Sequence, residues 1–117
     1  MELKKFNIDG REVEFVNAYR NTRTGFAHDS NLFIDGRNCG DATCIYYNRT
    51  WECYTYQSVM QKLIRNLIDH RESYLKERFK QDNGYCKISG SRKEALNLVV
   101  SSDSELIFYH KVLEALR

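Results

Sequence analysis

Ile8-Asp9-Gly10-Arg11 and Ile34-Asp35-Gly36-Arg37 repeat the same four residues, and each copy lies between apolar, strand-like segments. A two-residue Asp-Gly loop favours the type I′ turn, whose twist matches a pair of antiparallel strands. Leu3 to Ile8 and Val13 to Tyr19 flank the first turn. Closing that loop sets Ile8 opposite Arg11 and Phe6 opposite Val13. Phe6, Ile8, Val13, Phe15 and Tyr19 then share one face, with Glu12 and Glu14 on the other. The second turn follows Leu32-Phe33-Ile34 and precedes Arg37 to Tyr47, where Gly40 is expected to mark a bulge or loop before Cys44-Ile45-Tyr46-Tyr47. The likeness of the two turns follows from shared turn chemistry and does not require a duplicated unit. Trp51 to Tyr56 reads as a further short strand.

From Gln57 to Gln81 the period changes. Val59, Met60, Leu63, Ile64, Leu67, Ile68, Tyr74, Leu75 and Phe79 recur at steps of three and four, the stripe of an amphipathic helix. Asp82-Asn83-Gly84 supplies residues that tolerate a left-handed C-terminal cap. Beyond it, Tyr85 to Ile88 fits a short strand, Ser89-Gly90-Ser91 a loop, and Arg92 to Val100 either helix or strand. Ser102 or Asp103 is the expected N-cap of a last helix, Glu105 to Leu116, with Leu106, Ile107, Tyr109, His110, Leu113 and Leu116 inward. The fold class is therefore α+β. Two hairpins form an antiparallel sheet of four to five strands, one long helix covers it, and a C-terminal helix lies alongside.

A chain of 117 residues suits a single domain, residues 1–117, and 42% apolar content is enough to fill one core without metal or disulfide staples. The formal charge of +2 is too small to attract nucleic acid non-specifically. Its distribution is uneven: Lys76 to Lys93 carries six basic residues (Lys76, Arg78, Lys80, Lys87, Arg92, Lys93) against Glu77 and Asp82. No apolar run reaches the roughly twenty residues of a membrane span, and the N-terminus has no signal-peptide core, so no membrane partner and a cytoplasmic location are expected. Cys39, Cys44, Cys53 and Cys86 form no C-x-x-C pair and read as small buried thiols. With His28, His70 and His110 they lack zinc-ligand spacing, so neither metal nor cofactor is expected. Phosphate-loop, nucleophile-elbow and metalloprotease signatures are missing, which favours binding over catalysis. A small enzyme using dispersed acidic residues is the remaining alternative of that kind.

Two groups of residues are candidates for contact. Arg20, Arg23, Tyr46, Tyr47, Arg49, Trp51, Tyr54 and Tyr56 supply planar rings and guanidinium groups that can stack on bases or anchor a protein interface, and the same rings also suit strand packing. Lys87, Arg92 and Lys93 are cations without a helix C-terminus to offset and are candidates for phosphate contact. Lys76, Arg78 and Lys80 do have that structural reason. The binding set is Arg23, Tyr47, Arg49, Trp51, Lys87, Arg92 and Lys93.

Thr22-Arg23-Thr24-Gly25-Phe26-Ala27-His28 together with Tyr46-Tyr47-Asn48-Arg49-Thr50-Trp51-Glu52 resembles small uncharacterised proteins of bacteriophages and other mobile elements in Gram-positive bacteria. The resemblance spans about Arg20 to Leu63, and Asn48-Arg49-Thr50-Trp51-Glu52 is its most specific part. It implies a genomic setting rather than a reaction. Small proteins of such elements often occupy a surface of a host or rival complex, as inhibitors of RNA-guided nucleases do. The expected function is accordingly that of a non-catalytic accessory protein that binds and modulates a host defence or nucleic-acid-processing complex, with direct DNA or RNA binding as the alternative.

Overall fold

The computed structural model describes residues 2–23, 25–47, 56–84 and 87–117. Strands β1 (Glu2–Ile8), β2 (Arg11–Asn21), β3 (Gly25–Ile34) and β4 (Arg37–Tyr47) form one antiparallel sheet in sequential order. Helices α1 (Tyr56–Asp82), α2 (Ser91–Ser102) and α3 (Ser104–Ala115) follow, giving the α+β class.

Both Asp-Gly turns have the left-handed pairs that type I′ requires, with φ of 52° and 79° at Asp9 and Gly10 and of 51° and 79° at Asp35 and Gly36. The first hairpin has the register its turn dictates, with Ile8 opposite Arg11 and Phe6 opposite Val13. In the second, Leu32 faces Gly40 while Phe33 faces Asn38, which leaves Cys39 as the extra residue of a bulge. Asp35 ties the two hairpins together. Its carboxylate accepts from the Glu12 amide at 2.9 Å and its own amide donates to the Glu12 carbonyl at 2.9 Å.

The sheet has four strands among the described residues. Of the proposed Trp51 to Tyr56 strand, residues 51–55 lie outside the described residues, and Tyr56 opens α1 instead. β3 begins at Gly25, well before Leu32-Phe33-Ile34. Phe26, His28, Ser30, Leu32 and Ile34 share its inner face, and the polar His28 and Ser30 disguise the alternation.

Val13, Phe15, Leu32 and Ile34 of the sheet, Val59, Met60, Leu63, Ile64 and Ile68 of α1, and Leu106, Phe108, Val112 and Leu116 of α3 form the core. The inner face of α3 therefore differs from expectation. Phe108 and Val112 are buried while Ile107 is 43% exposed and His110 is exposed, because the four-residue series 108, 112, 116 meets the core. Its N-cap is Asp103, whose carboxylate accepts from the Leu106 amide at 3.0 Å. The Leu116 carbonyl accepts from the side chains of Gln57 and Gln61.

Arg92 to Val100 is helical, within α2. Lys87 and Ile88 belong to no strand, and Tyr85 and Cys86 lie outside the described residues. α1 ends where expected: the Asn83 side chain donates to the Phe79 carbonyl at 2.8 Å and Gly84 takes a φ of 66°. Arg71 holds Asp103 through two bonds of 3.0 and 2.8 Å, and Gln57 reaches the end of α3. α2 and then α3 therefore run back along α1. The first half of α1 and α3 cover the sheet, while the second half of α1 and α2 form a two-helix arm. The principal extents of 50 × 35 × 22 Å reflect this arm.

Candidate functional site

The inner face of the sheet is divided by a polar row. Asn17 and Ser30 pair directly across β2 and β3, and both are fully buried beneath Met60. Asn17 Nδ2 donates to the Met60 thioether, a weak acceptor, at 3.5 Å. Among the described residues Asn17 Oδ1 and Ser30 Oγ have no hydrogen-bond partner. On one side of the row lies the aliphatic core. On the other lies an aromatic cluster at the end of the sheet where α1 starts.

That cluster is built by the next two pairs of the ladder, Tyr19 with His28 and Asn21 with Phe26. Ring centroids are 5.6 Å apart for Tyr19 and Phe26, 5.5 Å for Tyr19 and His28, and 5.9 Å for Phe26 and His28. Tyr56, the first residue of α1, meets His28 edge-on at 4.7 Å. These rings pack on one another in tilted and edge geometries, as their quadrupoles prefer. Tyr19 remains 51% exposed, and its hydroxyl donates to Asn21 at 3.0 Å. Burial lowers the pKa of His28 against the opposing pull of the Asp29 carboxylate, so the ring is neutral at pH 7.

On the opposite face of the same strands, Arg20 Nε donates to Asp29 at 2.9 Å and the Thr43 hydroxyl donates to Asp29 at 2.6 Å. Burial pushes the Asp29 carboxyl upward, but these two bonds outweigh it and leave the pKa below the usual carboxylate value. Arg20 thus has its charge matched within the sheet. The aromatic end presents an apolar ring surface on the face opposite this ion pair.

The binding set from the sequence divides between two regions. Arg23 is exposed in the β2–β3 connection, and Tyr47 ends β4 opposite Gly25, so both mark the aromatic end. Arg49 and Trp51 lie outside the described residues, as do Asn48, Thr50, Glu52 and Tyr54. Lys87 follows the far end of α1, and Arg92 and Lys93 open α2. All three are exposed. α1 has 27 residues. At 1.5 Å per residue it is about 40 Å long. One small ligand therefore cannot touch both groups. The sequence places Tyr19 on one face with Phe6, Ile8, Val13 and Phe15, and His28 in an expected strand. The pairing of Tyr19 with His28 is what joins them into a cluster.

An open cleft of ≈ 340 Å³ lies at the other end of the sheet, lined by Arg11, Asp35, Arg37, Cys39, Glu105 and Tyr109. Arg11 lies 4.2 Å above the Phe108 ring and 3.7 Å from Asp35. The Tyr109 phenol is pushed up, chiefly by burial and then by Glu105. The cleft mixes two cations with two anions and so favours neither sign of ligand. Among the described residues no group of three or more His, Cys, Asp or Glu side chains converges as a metal site, and no helix is long and apolar enough to cross a membrane. Comparison with protein-family models, with curated proteins and with solved structures finds no match to this chain.

Proposed function

We propose that this chain is a non-catalytic accessory protein, of the kind carried by bacteriophages and mobile elements of Gram-positive bacteria, that docks on a host or rival protein complex and modulates it. Complexes of host defence or nucleic-acid processing, including RNA-guided nucleases, are the targets this reading favours. It acts in the cytoplasm and without a cofactor. The docking surface is the aromatic end of the sheet, centred on Tyr19 with Arg23 at its rim.

One observation carries this reading: a half-exposed Tyr19 rests on Phe26 and His28. A rigid ring with two side-chain torsions is a low-entropy anchor for a protein interface. Base stacking on single-stranded nucleic acid instead calls for exposed ring faces beside unpaired cations. Here the rings meet each other in tilted and edge geometries, which leaves less ring face open to stack on a base.

Direct nucleic-acid binding is the second reading, and it belongs to the tip of the arm. Lys87, Arg92 and Lys93 are exposed there and make no ion pair among the described residues. The two readings separate by substitution. Protein docking is weakened by Tyr19→Ala and is indifferent to salt in the manner of an apolar contact. Phosphate contact is weakened by Arg92→Glu with Lys93→Glu and falls steeply as salt rises. Surface plasmon resonance with a purified candidate complex and with a fluorescent oligonucleotide reads both. Modulation at amounts far below stoichiometric would point to turnover and overturn the non-catalytic assignment.

A further inference from the structure

The cleft at the end of the sheet opposite the aromatic cluster is assembled from separate parts of the chain. Arg11 opens β2, Ile34 ends β3 and Asp35 enters the second turn, Arg37 and Cys39 belong to the start of β4, and Glu105 and Tyr109 come from the first turns of α3. The Asp-Gly turn fixes one wall and the Asp103 cap fixes the start of the other. Cys39 is the residue that the bulge adds to β4, and its thiol donates to the Arg37 carbonyl at 3.3 Å. Two of the charged groups already match each other. Asp35 lies 3.7 Å from Arg11, and Arg11 lies against the Phe108 ring. One cation and one anion remain. Arg37 is exposed and makes no ion pair among the described residues. Glu105 is exposed and lies 4.0 Å from Arg71, whose guanidinium is already bonded twice to Asp103. Tyr109 lies four residues beyond Glu105 on the same face of α3. It is half-buried, and among the described residues its hydroxyl has no hydrogen-bond partner.

We propose that this cleft binds a small zwitterion of the amino-acid type, whose carboxylate pairs with Arg37, whose ammonium pairs with Glu105 and whose carbon skeleton lies on Ile34 and the Tyr109 ring. A ligand of a single charge matches one of the two free side chains and is repelled by the other, whereas a ligand carrying both charges matches both. The guanidinium fork of Arg37 suits a carboxylate, which it can bind through two parallel bonds. The Tyr109 hydroxyl, beside Glu105, accepts from the ammonium and so gains the partner it lacks. Ile34 and the Tyr109 ring supply the apolar part of the lining. A volume of ≈ 340 Å³ is at the small end of ligand pockets, which suits a single amino acid better than a nucleotide. The cleft lies at the other end of the sheet from Tyr19, so this binding and the docking proposed above are separate properties of the chain.

Titration of the isotope-labelled full chain, followed by amide NMR, tests this with two probes: L-leucine, whose charges share one carbon, and 6-aminohexanoate, whose charges lie at opposite ends. At least one should saturate with a Kd of about 1 mM or below, with shifts centred on Arg37, Cys39, Glu105 and Tyr109. The analogues with one charge deleted are 4-methylpentanoate and 3-methylbutylamine for leucine, and hexanoate and hexylamine for 6-aminohexanoate. Each should bind at least about tenfold more weakly than its parent. Arg37→Gln and Glu105→Gln should each weaken the zwitterion by about the same factor with unchanged far-UV circular dichroism, Arg37→Lys should retain part of the affinity, and Arg92→Gln should retain all of it. Failure of both zwitterions to shift these amides at about 10 mM, equal binding of a one-charge analogue, or shifts that persist in both glutamine variants would each overturn the inference. The one-charge analogues decide on the parent chain alone, so a variant that fails to fold does not protect the proposal.

Discussion

Removing the Ser30 hydroxyl should make the protein more stable. Ser30 is fully buried opposite Asn17, and its Oγ has no partner among the described residues. Leaving such a group unpaired costs about 1–3 kcal/mol in lost solvation. Ser30→Ala removes that cost and leaves a gap of roughly 12 Å³, which at about 24 cal/mol per Å³ gives back about 0.3 kcal/mol. The net expectation is a gain of about 1 kcal/mol, or a rise in Tm of roughly 4 °C for a chain of this length. Urea denaturation with linear extrapolation, beside a thermal melt, measures it. Thr43→Val is the matched control, because that hydroxyl donates to Asp29 at 2.6 Å and its loss should cost about 1–2 kcal/mol. A loss of about 1 kcal/mol or more in Ser30→Ala would show that the hydroxyl is bonded in solution, and the polar row would not be the weak layer described above.

Three further outcomes follow from the geometry. Asp103→Ala should cost about 2–3 kcal/mol, because it removes both the α3 cap and the Arg71 contact, whereas Asp103→Asn keeps the cap and should cost about half as much in the same urea titration. The Arg71 bonds hold the Asp103 carboxyl below its ordinary value of 3.8, so its contribution is complete above that value and is lost as pH falls through the lower folded pKa. Acid titration followed by circular dichroism should show this loss in the parent and not in Asp103→Asn. His28 should titrate below 6.5 by NMR. The unfolded chain then binds more protons than the folded one, and stability declines as pH drops from 6.5 toward the folded value. Gly36→Ala, at a φ of 79°, should cost about 1 kcal/mol or more by urea titration, because a side chain there strains the turn.

The parts of the fold that were legible in the sequence are those set by local rules. Asp-Gly at Asp9-Gly10 and Asp35-Gly36 specifies turn type, the turn specifies register, and the spacing from Val59 to Phe79 specifies a helix. What was hidden depends on contacts remote in sequence. A strand at His28 was expected, but Ser30 and His28 break the apolar alternation of β3, and their pairing with Asn17 and Tyr19 depends on the register of β2 against β3. α2 reads ambiguously because its apolar residues are split, with Leu96 buried and Val100 half-buried while Leu98 and Val99 are exposed. Of the candidate binding residues, Arg23 and Tyr47 lie at one end of α1 and Lys87, Arg92 and Lys93 at the other. Their separation by the length of α1 could not be read until the packing of α2 along that helix was known.

The most direct test of the docking account compares the tagged parent with Tyr19→Ala, both captured from Gram-positive host lysate with and without nuclease. The account predicts a stoichiometric protein complex that resists nuclease and is lost in Tyr19→Ala while the thermal melt of the variant stays unchanged. Retention of nucleic acid alone, removed by nuclease or salt and unaffected by Tyr19→Ala, would contradict it.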